Sequence, residues 1–87
     1  MKVVFILIGH RAEEAVKVQS VLSEFGDIIK TRLGINRELR QNDDASGFIF
    51  LELCGNDSRE DKLCEALNKI ADVKAECLNI ELPHSRQ

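Results

Sequence analysis

The sequence predicts a small α+β fold of order β-α-β-β-α-β, and three observations carry that prediction. Two apolar, β-branched or aromatic runs, Val3 to Ile8 and Phe48 to Leu53, have the length and composition of buried strands. Each is followed by a segment of helical period, Ala12 to Phe25 and about Asp57 to Ala71. Each helix is followed in turn by a second strand, around Ile28 to Leu33 and from Val73 to Leu82. The same unit written twice in 87 residues leaves little chain for anything else. It is the split βαβ, or ferredoxin-like, arrangement: a four-stranded antiparallel sheet with two helices on one face. We read residues 1–87 as one domain, ordered over about 2–82, with a flexible tail at 83–87.

Taken in order, Val3 to Ile8 is apolar at both parities, as expected of a central strand covered on both sides. The first helix places Ala15, Val18, Val21, Leu22 and Phe25 at helical spacing, with Glu13, Glu14, Lys17, Ser20 and Glu24 on the other side. Acidic residues in its first turn suit the positive end of the helix dipole, and Gly26 offers a left-handed stop. On the strand from Phe48, alternation sends Ile49, Leu51 and Leu53 toward the helices and Phe48, Phe50, Glu52 and Cys54 the other way. Ile28, Lys30 and Arg32 are expected to share that outer face on the neighbouring strand. The second helix buries Leu63, Ala66, Leu67 and Ile70; Asp57 or Ser58 is its expected N-cap, with Glu60 or Asp61 completing a capping box. The last strand changes parity: Val73, Ala75 and Cys77, then Leu78, Ile80 and Leu82. A bulge near Cys77 or burial on two sides would both account for this. The connection from Ile35 to Gly47 reads as a mobile hairpin loop.

Composition excludes several function classes. A net charge of −3 argues against a nucleic-acid footprint, and the basic residues Lys30, Arg32, Arg37 and Arg40 have Glu38, Asp43 and Asp44 beside them. No apolar run approaches the roughly 18 residues of a membrane helix, and the first strand is too short and too β-branched for a signal peptide. A cytoplasmic location is expected. Three cysteines, Cys54, Cys64 and Cys77, with no C-x-x-C pair, argue for reduced, packed thiols over a disulfide framework or a zinc site.

The chain contains no phosphate-loop, dinucleotide, zincin or nucleophile-elbow motif, so no enzymatic activity and no cofactor is expected. His84 lies in the tail. Gly9-His10-Arg11 runs directly into a helix N-terminus, where free N–H groups and the dipole favour an anion and Arg11 adds a charge. A solvated turn is the plain alternative. Phe48 and Phe50 put large apolar side chains on the face of the sheet that the helices leave open.

Phe5-Ile6-Leu7-Ile8, Arg11-Ala12-Glu13-Glu14-Ala15, Val21-Leu22-Ser23-Glu24-Phe25, Ile28 to Gly34, and Gly47 to Leu53 followed by Leu63, Leu67 and Val73 form a wider pattern. Over roughly Val3 to Leu82 it resembles the iron-only hydrogenase system regulator family, small stand-alone domains similar to ACT domains. The sheet half is also similar to the C-terminal domain of nickel-responsive repressors, which assembles into tetramers. The positions matching that domain's nickel ligands hold Arg32, Gly34 and about Gly47, none a soft-metal ligand, and the ribbon-helix-helix segment of those repressors is not expected here. Nickel binding and direct operator binding are therefore not carried over.

The resemblance implies an ACT-like homo-oligomer, dimer or tetramer, acting as a transcriptional or assembly regulator in iron-only hydrogenase maturation through a small anionic ligand or a protein partner. ACT-like domains bind ligands where the first strand–helix turn meets a neighbouring subunit. That implies a site of Gly9, His10 and Arg11 with Arg32 or Gly34, while the apolar outer face itself gives an expected oligomer interface of Phe48, Phe50 and Ile28. A structural protein-interaction domain without a small ligand is the alternative.

Overall fold

The computed structural model describes residues 1–9, 12–36, 47–55 and 58–83. Its elements are β1 (Lys2–Ile8), α1 (Ala12–Glu24), a 3-10 turn (Gly26–Ile28), β2 (Ile29–Asn36), β3 (Gly47–Leu53), α2 (Glu60–Asn68) and β4 (Val73–Asn79). The strands form one antiparallel sheet in the order β2-β3-β1-β4, so β1 and β3 are central and each β-α-β unit straddles a strand of the other. This is the ferredoxin-like, ACT-like architecture expected from the sequence. Among the described residues, no helix is long and apolar enough to cross a membrane.

One core holds the layers together. Val4, Ile6 and Ile8 of β1, Ile49, Leu51 and Leu53 of β3, and Ala75 of β4 face Val18 and Leu22 of α1, Phe25 just after it, and Leu63 and Leu67 of α2. Truncating a fully buried leucine such as Leu63 or Leu67 to Ala costs about 2–5 kcal/mol in such a setting, so these two residues are strong anchors for α2. The 3-10 turn seats Ile28 in the same core and is tied to α2 by the Arg59–Asp27 pair, with Arg59 Nη2 2.6 Å from Asp27 Oδ2.

Several expectations are corrected at this level. Glu14, expected on the polar side of α1, is buried to 2% exposure, while Val16 is 67% exposed. The buried stripe runs Glu14, Val18, Leu22, Phe25, a spacing as helical as the all-apolar one. Gly26 opens the 3-10 turn without a positive φ; the left-handed residues described are Gly55 (φ 98) and Asp72 (φ 61). Helix α2 is shorter than its periodic pattern. Arg59 precedes it with no side-chain cap, and the Glu60 carboxylate reaches back to accept the Gly55 N–H at 2.8 Å. Asp57, one of the expected caps, lies outside the described residues, as do the segment 37–46 and the tail 84–87.

The parity change of β4 needs no bulge. Its pairing with β1 runs unbroken from Lys2↔Asn79 to Ile8↔Val73, so Ala75 faces the helices while Leu78 faces out. Beyond the strand, Met1 and Ile80 exchange backbone hydrogen bonds at 2.7 and 2.8 Å. The side chain of Asn68, at the end of α2, also bonds β4: its Nδ2 donates to the Ala75 carbonyl at 3.0 Å, and its Oδ1 accepts the Ala75 N–H at 2.8 Å. With the backbone groups of Ala75 occupied, the middle of this edge is a poorer template for another chain.

Asn68→Ala is expected to lower stability by about 0.5–1.5 kcal/mol per lost bond at most and to speed amide exchange at Ala75. Urea denaturation with residue-resolved exchange checks both, and unchanged exchange at Ala75 would contradict the clamp.

Candidate functional site

Two surfaces stand out, the outer face of the sheet and the end of β1. The outer face is set by register. Across the sheet Leu33, Phe50, Phe5 and Glu76 form one row, Thr31, Glu52, Val3 and Leu78 a second, and Phe48, Leu7 and Lys74 a third. The Phe5 ring stacks on Phe48 with centroids 5.9 Å apart and tilts against Phe50 at 5.5 Å, so three half-buried rings form the middle of the face. Leu7, Leu33 and Leu78 around them are 46%, 55% and 43% exposed. Charged pairs lie at the margins: Lys30–Glu52 at 3.7 Å and Lys74–Glu76 at 3.2 Å. Exposed pairs of this kind contribute about 0–1 kcal/mol and chiefly keep the rim wet.

Phe48 and Phe50 therefore lie where alternation sends them. Ile28 does not: it is 2% exposed, in the 3-10 turn, and belongs to the core. Lys30 is the extra residue of a bulge and still reaches Glu52 on the outer face, whereas Arg32 is displaced by it. Between Ile29↔Leu53 and Thr31↔Glu52, β2 advances two residues while β3 advances one, and the parity of the rest of β2 is reversed. Thr31 and Leu33 take the outer face. Arg32 turns toward the helices, where its Nη2 donates to Gln19 Oε1 of α1.

At the end of β1, Gly9 donates its N–H to the Asp72 carbonyl at 2.8 Å, joining the start of the first turn to the α2–β4 connection. A Cβ on Gly9 would fall on the Asp72 carboxylate, so only glycine fits beneath that side chain as it stands. Asp72 itself sits at φ 61, a conformation that Asp tolerates better than most residues. Just inside α1, Glu14 places Oε1 3.7 Å from Lys17 Nζ, while its buried Oε2 has no hydrogen-bond partner among the described residues. A buried acceptor left unmade costs about 1–3 kcal/mol; here it is free to accept one more donor. His10 and Arg11 lie outside the described residues.

The remaining residues of the expected ligand set are not gathered here. Gly34 aligns with Ile49 and Ile6, and Arg32 with Leu51 and Val4. With strands about 4.8 Å apart and a rise of about 3.4 Å per residue, Gly34 is roughly 14 Å and Arg32 roughly 20 Å from Gly9 in one chain. Only a second copy could bring either to the turn. Among the described residues, no three His, Cys, Asp or Glu side chains gather as a metal site.

The chain is similar to a number of solved structures, the following two among them. The uncharacterized protein TM1266 of Thermotoga maritima matches with a TM-score of 0.78 and 21% identity, over 92% of this chain and 95% of that one. A 5-chloro-2-hydroxyhydroquinone dehydrochlorinase of Burkholderia phenoliruptrix matches with a TM-score of 0.50 and 13% identity, over 93% and 94%. At these identities the likeness is one of fold. No family model matches the chain, and no curated protein is similar to it.

Two substitutions test the geometry of the turn. Gly9→Ala is expected to destabilise by about 1–3 kcal/mol, the range for overpacking, and by clearly less when Asp72→Gly is also present. Equal penalties in the two backgrounds, measured by chemical denaturation, would show that the carboxylate does not sit over Gly9. Glu14→Met, which replaces the orphaned carboxylate by an apolar chain of similar length, is expected to raise stability by about 1 kcal/mol. A destabilised variant would mean that Glu14 holds a partner.

Proposed function

We propose that the chain is a non-enzymatic, ACT-like regulatory module that self-associates through the outer face of its sheet and reads a small ligand or a partner protein at the turn after β1. The observation that carries this reading is the outer face itself. Three aromatic rings and three leucines about half exposed form one patch around β1, with charges only at its margins. Covering the leucines contributes about 1 kcal/mol each, short of the 4 kcal/mol or more that association costs. The faces of Phe5, Phe48 and Phe50 must supply the rest. Occupation of the β4 edge by Asn68 favours face-to-face pairing over strand addition on that side.

The regulatory role in iron-only hydrogenase maturation rests on resemblance to that family of regulators, and TM1266, similar in fold, is itself uncharacterized. A second copy would also be what brings Arg32 or Gly34 within reach of Gly9. A second reading, an interaction domain that takes no small ligand, is favoured by one observation: the described side chains at the turn, Glu14 and Asp72, are carboxylates, which oppose an anion. Anion recognition then depends on Arg11 and on the N–H groups at the head of α1.

Phe50→Glu is expected to shift the protein to monomer in sedimentation while the wild type is dimeric or larger at micromolar concentration. A monomeric wild type would overturn self-association. For the ligand, the best anionic hit of a thermal-shift screen is titrated calorimetrically against wild type and Arg11→Ala. A loss of tenfold or more, about 1.4 kcal/mol, is expected. Equal affinity moves the site away from Arg11, and a screen with no hit favours the interaction domain.

A further inference from the structure

The reading above makes no use of the sulfur pair that joins α2 to β4. The spacing argument for unpaired thiols fails here, because Cys64 and Cys77 meet across the fold as a disulfide, leaving Cys54 exposed and free. Cys64 follows the fully buried Leu63 on α2, and Cys77 stands opposite Val4 on β4; both are half-buried and pack against the core. Their Cα atoms are 6.6 Å apart, inside the range that a disulfide spans without moving the backbone. The bond is also separable from the fold. Leu63 and Leu67 already hold α2 to the sheet, while β4 is held by its full pairing with β1 and by the two bonds from Asn68. None of these anchors needs sulfur. Cys54, past the end of β3, is roughly 14 Å from Cys77 by strand spacing and stands apart from the pair.

We propose that Cys64 and Cys77 are a reversible redox latch, closed by a small disulfide of the glutathione class and opened by a dithiol reductant. In closing, one thiolate attacks the small disulfide and expels one small thiolate, giving a mixed disulfide. The second protein thiolate then attacks that sulfur and expels the other. Two protein thiols and one small disulfide become one protein disulfide and two small thiols; the two protons end on the leaving thiols. A dithiol returns the two electrons and becomes a disulfide itself. The closed latch ties α2 to an edge strand that carries Leu78 to the outer face, so oxidation stiffens one border of that face. This inference does not depend on the proposed function.

The test equilibrates the whole chain in glutathione buffers of graded redox ratio, then alkylates it and counts labels by mass. The expected result is a two-electron transition between a species with three alkylated thiols and one with a single label on Cys54. Peptide mapping should then join Cys64 to Cys77. The closed form is expected to melt about 10 °C or more above the open one, as follows from closing a loop of this length in a domain this small. Both forms are expected to have the same circular dichroism. The double variant Cys64→Ala/Cys77→Ala should fold and melt at one temperature in every buffer. The proposal is overturned by three labels in fully oxidising buffer, by a link involving Cys54, by equal melting temperatures of the two forms, or by an unfolded reduced wild type. A redox-dependent melting temperature in the double variant would equally overturn it.

Discussion

The structure depends on β1 being covered on both faces. It is paired on both edges, to β3 and β4, and Val3, Val4 and Ile6 each have 1% exposure or less. Val4, Ile6 and Ile8 find their cover in the two helices, and that half of the requirement builds the core. The other half is met only partly: Phe5 is flanked by Phe48 and Phe50, Val3 lies between Glu52 and Leu78, and Leu7 is left nearly half exposed. A strand apolar at every position from Val3 to Ile8 asks for two layers, and the fold provides one.

The rest of the architecture limits how that demand can be met. Asn68 closes part of the β4 edge with two hydrogen bonds, and the bulge at Lys30 turns Thr31 and Leu33 onto the outer face while sending Arg32 toward Gln19. The apolar area therefore extends to β2 on one side and to Leu78 on the other. The guanidinium of Arg32 is on the helix side and does not interrupt it. A second sheet of the same kind, laid face to face, is the simplest cover of matching shape and polarity.

The order of elements was legible because the helical segments keep a 3.6 period, while the strands stand out as short β-branched or aromatic runs without it. Positions that depend on contacts between distant segments were not. The bulge at Lys30 is a property of pairing between β2 and β3, so the sequence placed Arg32 on the wrong face and read the core residue Ile28 as outward, while Lys30 does reach Glu52 on the outer face. Cys64 and Cys77 meet across the α2–β4 packing, which thiol spacing along the chain does not encode. Glu14 was masked by its own charge: a carboxylate reads as solvent-facing, yet its spacing to Val18, Leu22 and Phe25 marks it as part of the buried stripe. At the turn, Gly9 was legible as a position before a helix, whereas the group that crowds its Cα, the carboxylate of Asp72, comes from 63 residues further along the chain.

Cover of the outer face by a second copy can be read at the aromatic rings themselves. Phenylalanine occurs four times, as Phe5, Phe25, Phe48 and Phe50, so fluorine-labelled phenylalanine gives four assignable resonances. Phe25 belongs to the core and serves as the internal reference. In the presence of a soluble paramagnetic relaxation agent, burial of the face predicts that Phe5, Phe48 and Phe50 are protected nearly as well as Phe25. Strong relaxation of those three with Phe25 alone protected, at concentrations where the protein is fully folded, would contradict it.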